Sequence, residues 1–139
     1  MELCGEGLEF FGVDREVMRG EKILDILSSL EGVEEDMGVV ILLVNTGTKG
    51  AKALEEKVRV PLLVVPLGGE DQEGRLKALE EWSSVLGESG VLAWGEAGVK
   101  NAALSAVSIL ALNDRYLEVR WKEFREEQTR KVLNMEFPD

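Results

Sequence analysis

The segment 45–50 has the residue types best suited to binding phosphate. It supplies backbone N–H groups, two hydroxyls and an ammonium, and its candidate ligand-binding residues are Asn45, Thr46, Gly47, Thr48 and Lys49. The segment follows an apolar run and precedes a predicted helix, and anions are favoured at helix N-termini. Its spacing differs from the Walker A pattern Gly-x-x-x-x-Gly-Lys-Ser/Thr. The residues indicate either a phosphate site or an ordinary polar turn.

Carboxylates beside glycines form a second group of candidates. Gly68 and Gly69 would allow close backbone approach to a ligand, and the weak catalytic candidates are Glu70, Asp71 and Glu96. Such carboxylates could act as acid and base or hold Mg²⁺, or they could simply be solvated loop residues. The 139 residues contain no histidine, which excludes a Ser-His-Asp triad. A carboxylate doing histidine's work near neutral pH would need a pKa raised by burial.

The composition excludes several classes of function. The chain carries 27 acidic and 16 basic residues, a net charge of -11, so binding to nucleic acid or to anionic membranes is not expected. The single cysteine, Cys4, argues against a disulfide and against a structural zinc site, and no cofactor is expected. The apolar runs Val39–Val44 and Val60–Leu67 are too short to span a membrane. Without a recognisable signal peptide, we expect a cytoplasmic protein.

Apolar runs alternate with amphipathic segments along one domain, 1–139. The predicted strands are Leu8–Gly12, Val39–Asn45, Val60–Leu67 and Gly90–Trp94. The predicted helices are Val17–Leu30 after an Asp14 cap, Ala51–Lys57, Glu73–Leu86, Gly98–Leu112, and a last helix from an Asp114 cap to Leu133. This alternation predicts an α/β fold, a three-layer αβα sandwich around a four-stranded parallel sheet, with ligands beyond the carboxyl ends of the strands.

The C-terminal third resembles the PurE family. The run Gly98–Leu112 is similar to the family's penultimate helix, G-x-x-N-A-A-L-L-A-A-Q-I-L-A, and Asp114–Leu133 is similar to its last helix. Val60-Pro61 and Val65-Pro66 fit a V-P-x-x-x-V-P strand of that family. Its members act in purine biosynthesis as carboxyaminoimidazole ribonucleotide mutase or aminoimidazole ribonucleotide carboxylase. The resemblance implies a flavodoxin-like fold and a homo-oligomer, an octamer, in which C-terminal helices pack across subunits.

The family's chemical motifs are altered in this chain. The resemblance sets Gly12 at the glycine of an M-G-S-x-S-D phosphate loop, whose polar residues fall on Val13, Arg15 and Glu16. An alternative alignment sets the segment 11–16 against S-A-H-R-T-P, whose histidine handles proton and carboxylate transfer in the family. Lys49 stands where a second family histidine would lie. Neither alignment supplies a histidine.

Three functions follow from this resemblance. The first is a non-catalytic PurE-like protein that binds a phosphorylated metabolite through Gly12, the residues of segment 45–49, Gly68 and Gly69. The second is an active family enzyme in which Glu70, Asp71 or Glu96 replaces histidine. The third is an interaction subunit that assembles with a complete PurE protein through matching C-terminal helices.

Overall fold

The chain folds as alternating helices and parallel strands. The computed structural model describes residues 2–18, 26, 28, 38–44, 48–68, 71–83, 90–91 and 94–135. The elements are α1 (Glu2–Phe11), β1 (Val40–Val44), α2 (Thr48–Glu55), β2 (Leu62–Pro66), α3 (Gln72–Ser83), β3 (Gly90–Val91), α4 (Gly95–Leu110) and α5 (Arg115–Leu133). The described strands form one parallel sheet in the order β1-β2-β3. The α/β class with a parallel sheet is therefore confirmed.

Both faces of the sheet are apolar, as the uninterrupted Val/Leu runs predict for a covered parallel sheet. In register, Val40 pairs with Leu62 and Val44 with Pro66. Because successive strand residues point to opposite faces, Leu63 and Val65 enter one core while Val64 enters the other. We call the core formed with α1 and α4 the first core, and the core that contains Leu54 of α2 the second core. Helices thus contribute to a core on each side of the sheet.

Helix α4 is the central element of the first core and contacts α1, α5 and two strands. Its buried face is built of small residues, including Ala102, Ala103 and Ala106. Gly7 of α1 lies against this face, and a Cβ atom at Gly7 would sit 3.1 Å from the Cβ of Ala103. The small side chains therefore allow the backbones of α1 and α4 to approach closely.

The predicted first strand, Leu8–Gly12, is wrong, because these residues form the end of α1. Cys4, Leu8 and Phe11 recur at helical spacing and are all buried in the first core. A strand would have placed Leu8 and Phe11 on opposite faces. A helix thus takes the place of one of the four predicted strands, and the described sheet has three strands.

Gly12 ends α1 and does not follow a strand. Its φ of 73° lies in the left-handed region that glycine adopts readily. The Gly12 N–H donates to the Glu9 carbonyl at 2.9 Å, and the Val13 N–H donates to the Leu8 carbonyl at 3.0 Å. This pair of hydrogen bonds is a Schellman motif, with Val13 and Leu8 both in the first core. Gly12 therefore follows a helix, and not the strand that precedes the phosphate loop in the resemblance.

Most later elements agree with their predictions. Asp114 caps α5 as expected, its Oδ1 accepting the Leu117 N–H at 3.0 Å. Helices α2 and α4 begin earlier than predicted, at Thr48 and Gly95. Asp14 and Val17 lie in the non-helical segment 13–18, so Asp14 does not cap a helix there. Of the predicted helix 17–30, residues 26 and 28 are helical, and 19–25, 27, 29 and 30 lie outside the described residues.

Candidate functional site

The carboxyl end of β2 leads directly into a left-handed turn. The Leu67 N–H donates to the Val44 carbonyl at 2.8 Å, which extends the ladder by one residue beyond Pro66. Gly68 then adopts a φ of 75°. A Cβ atom at Gly68 would lie 3.5 Å from the Cγ of Arg75, so the stem of Arg75 passes beside this turn. Gly68 thereby directs the chain from the sheet towards α3.

Asp71 acts as the N-cap of α3. Its Oδ1 accepts the Gly74 N–H at 2.7 Å, and its carbonyl accepts the Arg75 N–H at 3.2 Å. A carboxylate at this position satisfies N–H groups that the first helical turn leaves without intrahelical partners. The capping role accounts for the residue type without invoking acid–base chemistry.

The beginning of α4 forms the opposite side of the site. Trp94 is the N-cap residue and makes no side-chain capping hydrogen bond. Its side chain is half-buried and packs against the second core, which holds its ring in place. Gly95 has a φ of 58°, and the position of its missing Cβ has no atom within 4 Å. Glu96 follows in the first turn and is exposed.

These two segments enclose an open groove of about 470 Å³. We call it the edge groove; it is lined by Leu67, Gly68, Gln72, Arg75, Leu76, Trp94, Gly95 and Glu96. Its size and its apolar lining with a few polar groups are typical of small-molecule sites. Its place beyond the carboxyl ends of parallel strands is where ligands bind in open α/β sheets.

The edge groove brings together two predicted candidates, Gly68 and Glu96, that are far apart in the sequence. Six of its lining residues were not among the predicted site residues: Leu67, Gln72, Arg75, Leu76, Trp94 and Gly95. The helical spacing of positions 72, 75 and 76 could have shown that they share one face of α3. Nothing in the sequence indicates that this face lies opposite Trp94.

The remaining predicted site residues are placed only in part. Asn45, Thr46, Gly47, Gly69 and Glu70 lie outside the described residues. The backbones of Thr48 and Lys49 form the first turn of α2, which corrects the predicted turn at these two positions. Of the described carboxylates that were predicted to replace histidine, Glu96 lines the edge groove and Asp71 caps α3.

Cys4 is a buried thiol in the first core. Burial raises its pKa, against smaller opposing effects of the N-terminal amine and Arg15. A raised pKa disfavours the thiolate, which is the reactive form of cysteine.

Within the described part of the chain, no three His, Cys, Asp or Glu side chains are grouped to hold a metal ion. Among the described helices, none is long and apolar enough to cross a membrane.

The fold and the edge groove define the class of open α/β proteins with a ligand site at the carboxyl edge of a parallel sheet. The N5-carboxyaminoimidazole ribonucleotide mutase of Escherichia coli (strain K12) is 32% identical over 146 residues, covering 100% of this chain and 84% of that protein. The mutases of Vibrio vulnificus (strain CMCP6) and Aliivibrio fischeri (strain ATCC 700601 / ES114) are each 30% identical, over 96% and 100% of this chain and 86% and 88% of theirs. No family model matches the chain. The chain belongs to the PurE family, the N5-carboxyaminoimidazole ribonucleotide mutases of purine biosynthesis.

Proposed function

We propose that this chain is a cytoplasmic, non-catalytic PurE-family protein that binds a phosphorylated small molecule at the carboxyl edge of its sheet. The observation that carries the proposal is the absence of histidine from all 139 residues. The PurE resemblance implies that a histidine moves the proton and the carboxylate. Imidazole suits this task because its ordinary pKa lies near neutrality.

The carboxylates of the described edge are poor replacements for imidazole. Asp71 and Glu96 are both exposed, and Asp71 already caps α3. A carboxylate becomes a base or acid near neutral pH only when desolvation or a nearby like charge disfavours its ionised form. Water around an exposed carboxylate opposes that shift. Ligand binding makes no such demand on the site.

The edge nevertheless has features that suit an anionic metabolite. The edge groove is large enough for a small ligand, and Arg75 is one of its lining residues. Next to it in the sheet, β1 is followed by α2, whose first turn contains Thr48 and Lys49. Lysine side chains and helix N-termini are common phosphate ligands. These features support binding of a phosphorylated molecule across the ends of β1 and β2.

The test combines turnover with binding. Conversion of carboxyaminoimidazole ribonucleotide is followed by ultraviolet absorbance, with the Escherichia coli relative as the active control. We expect no turnover above background by the folded protein. Ribose 5-phosphate is titrated by calorimetry into wild type, Lys49→Ala and the exposed control Lys57→Ala. We expect Lys49→Ala to weaken binding by about tenfold, as for loss of one charge-assisted contact, and Lys57→Ala to leave it unchanged. Absence of ribose 5-phosphate binding would refute the proposed ligand class.

The alternative is an active family enzyme that uses a carboxylate. It is favoured by Glu96, which lines the edge groove beside Gly95. Turnover by wild type that is lost in Glu96→Gln would establish this alternative and refute the non-catalytic proposal. Turnover retained in Glu96→Gln would direct attention to Glu70 and Asp71.

We also propose that the protein is a homo-oligomer, with the octamer as the expected state. Within α5, Leu117 is buried, while Val132 and Leu133 near its end are 59% and 77% exposed. The stripe that starts at Leu117 and continues through Trp121 and Phe124 is extended by Val132 at helical spacing. Exposed apolar side chains at the end of such a stripe favour an interface with another chain.

Light scattering after size exclusion tests this assembly. We expect Val132→Asp and Leu133→Asp to lower the oligomeric mass. Val17→Asp, at a 54% exposed residue outside the C-terminal helices, should leave it unchanged. A monomeric wild type would refute self-assembly. In that case, co-purification with a histidine-containing PurE protein would instead identify an interaction subunit.

A further inference from the structure

We infer that the edge groove recognises a guanine ring as the base of a nucleotide ligand. This inference rests on the proposed ligand-binding role of the carboxyl edge and names the ring that the edge groove accepts. It is carried by three residues that line the same groove: Trp94, whose side chain packs against the second core, Glu96 and Arg75.

Trp94 provides the stacking surface. Its indole packs against the second core and also lines the edge groove, so the ring is positioned before any ligand binds. Leu67 and Leu76, which are 37% and 55% exposed, add apolar area beside it. Flat nucleobases stack on aromatic side chains of this kind regardless of how the donors and acceptors of the base are arranged. This surface therefore selects for a flat ring without choosing among bases.

The polar residues of the edge groove discriminate guanine from adenine. Guanine presents two adjacent donors, N1–H and the N2 amine, and two adjacent acceptors, O6 and N7. A carboxylate accepts from the first pair, and a guanidinium donates to the second pair. Glu96 and Arg75, which both line the edge groove, carry these two groups. Adenine would instead face the carboxylate with its N1 acceptor, which leaves two acceptors opposed.

The glycines of the edge groove leave room for the ring. The missing Cβ of Gly95 has no atom within 4 Å, and Gly68 turns the chain with a positive φ. Without side chains at these positions, a flat ligand can reach the backbone of both turns. Gln72, which has both a donor and an acceptor, lines the same groove and complements either edge of the ring.

Titration calorimetry with guanosine, inosine and adenosine tests the inference on the full chain. We expect guanosine to bind at least about tenfold more tightly than adenosine, because a charged hydrogen-bonding group is left without its partner in the adenosine complex. Inosine lacks the 2-amino group and should fall between them. Trp94→Leu should weaken all three nucleosides.

Glu96→Gln and a matched control isolate the carboxylate. We expect Glu96→Gln to remove the preference of guanosine over adenosine, and the exposed carboxylate variant Glu123→Gln on α5 to retain it. Arg75→Gln should likewise weaken guanosine more than adenosine. Equal affinities of guanosine and adenosine for wild type, or an unchanged preference in Glu96→Gln, would overturn the inference.

The nucleosides carry no phosphate, so the two proposals fail separately. Binding of ribose 5-phosphate without binding of guanosine would refute the guanine inference and leave the proposed function standing. Binding of guanosine without binding of ribose 5-phosphate would refute the proposed phosphate binding and leave the guanine inference standing.

Discussion

Phe11 is expected to be one of the most costly positions for truncation in this protein. Its side chain is 2% exposed in the first core. Its ring centroid lies 5.3 Å from that of Phe124 at 75° and 5.9 Å from that of Trp121 at 55°. Replacing a buried phenylalanine by alanine costs about 3–5 kcal/mol, of which an edge-to-face pair contributes roughly 1 kcal/mol. For a domain of this size, the melting temperature of Phe11→Ala should fall by roughly 10–17 °C.

Urea unfolding followed by circular dichroism measures this loss. Phe10→Ala is the matched control. Phe10 is adjacent on α1 and its ring contacts those of Phe11 and Phe124, but it is 57% exposed, so we expect it to lose roughly 1–2 kcal/mol, less than Phe11→Ala. A double-mutant cycle between Phe11 and Phe124 should give a coupling of about 1 kcal/mol. Should Phe11→Ala fail to fold, Phe11→Leu should still show an intermediate loss. Equal losses for Phe10→Ala and Phe11→Ala would refute the described packing of α1.

Three further outcomes follow from single contacts. Leu54→Ala empties a fully buried site in the second core and should cost about 3 kcal/mol in chemical denaturation. Asp114→Ala should cost about 1 kcal/mol in thermal unfolding, whereas Asp114→Asn, which can still cap α5, should cost less; equal losses would contradict the capping role. The hydrogen bond from Lys122 holds the pKa of Glu118 below its ordinary value of 4.5. Its stabilisation is therefore present above pH 4.5 and lost as the pH falls through the lowered folded-state pKa, so Glu118→Gln should show a shallower acid dependence of stability than wild type.

The elements that the sequence predicts well are those with local signals. The uninterrupted Val/Leu runs at β1 and β2 predict covered parallel strands, and the cap at Asp114 predicts the start of α5. These signals lie within a few residues of the structure they specify. These elements can therefore be predicted from nearby residues without knowledge of the rest of the chain.

The segment Leu8–Gly12 shows where local reasoning fails. Its short apolar run is compatible with a strand when considered alone. The helical spacing back to Cys4, together with a glycine at the end, predicts a capped helix, and burial against α4 favours that outcome. The same dependence on distant contacts hides Trp94 and Arg75, because their proximity requires α3 and α4 to meet at one sheet edge.

The close approach of α1 and α4 restricts how the two helices can diverge in evolution. A Cβ atom at Gly7 would lie 3.1 Å from that of Ala103, nearer than side chains normally approach. Neither position can enlarge alone without moving a helix, and α4 also contacts the sheet and α5. A larger residue at position 7 must therefore be matched by a glycine at position 103. Positions 7 and 103 should consequently covary among relatives that keep this helix pair, although they belong to opposite ends of the chain.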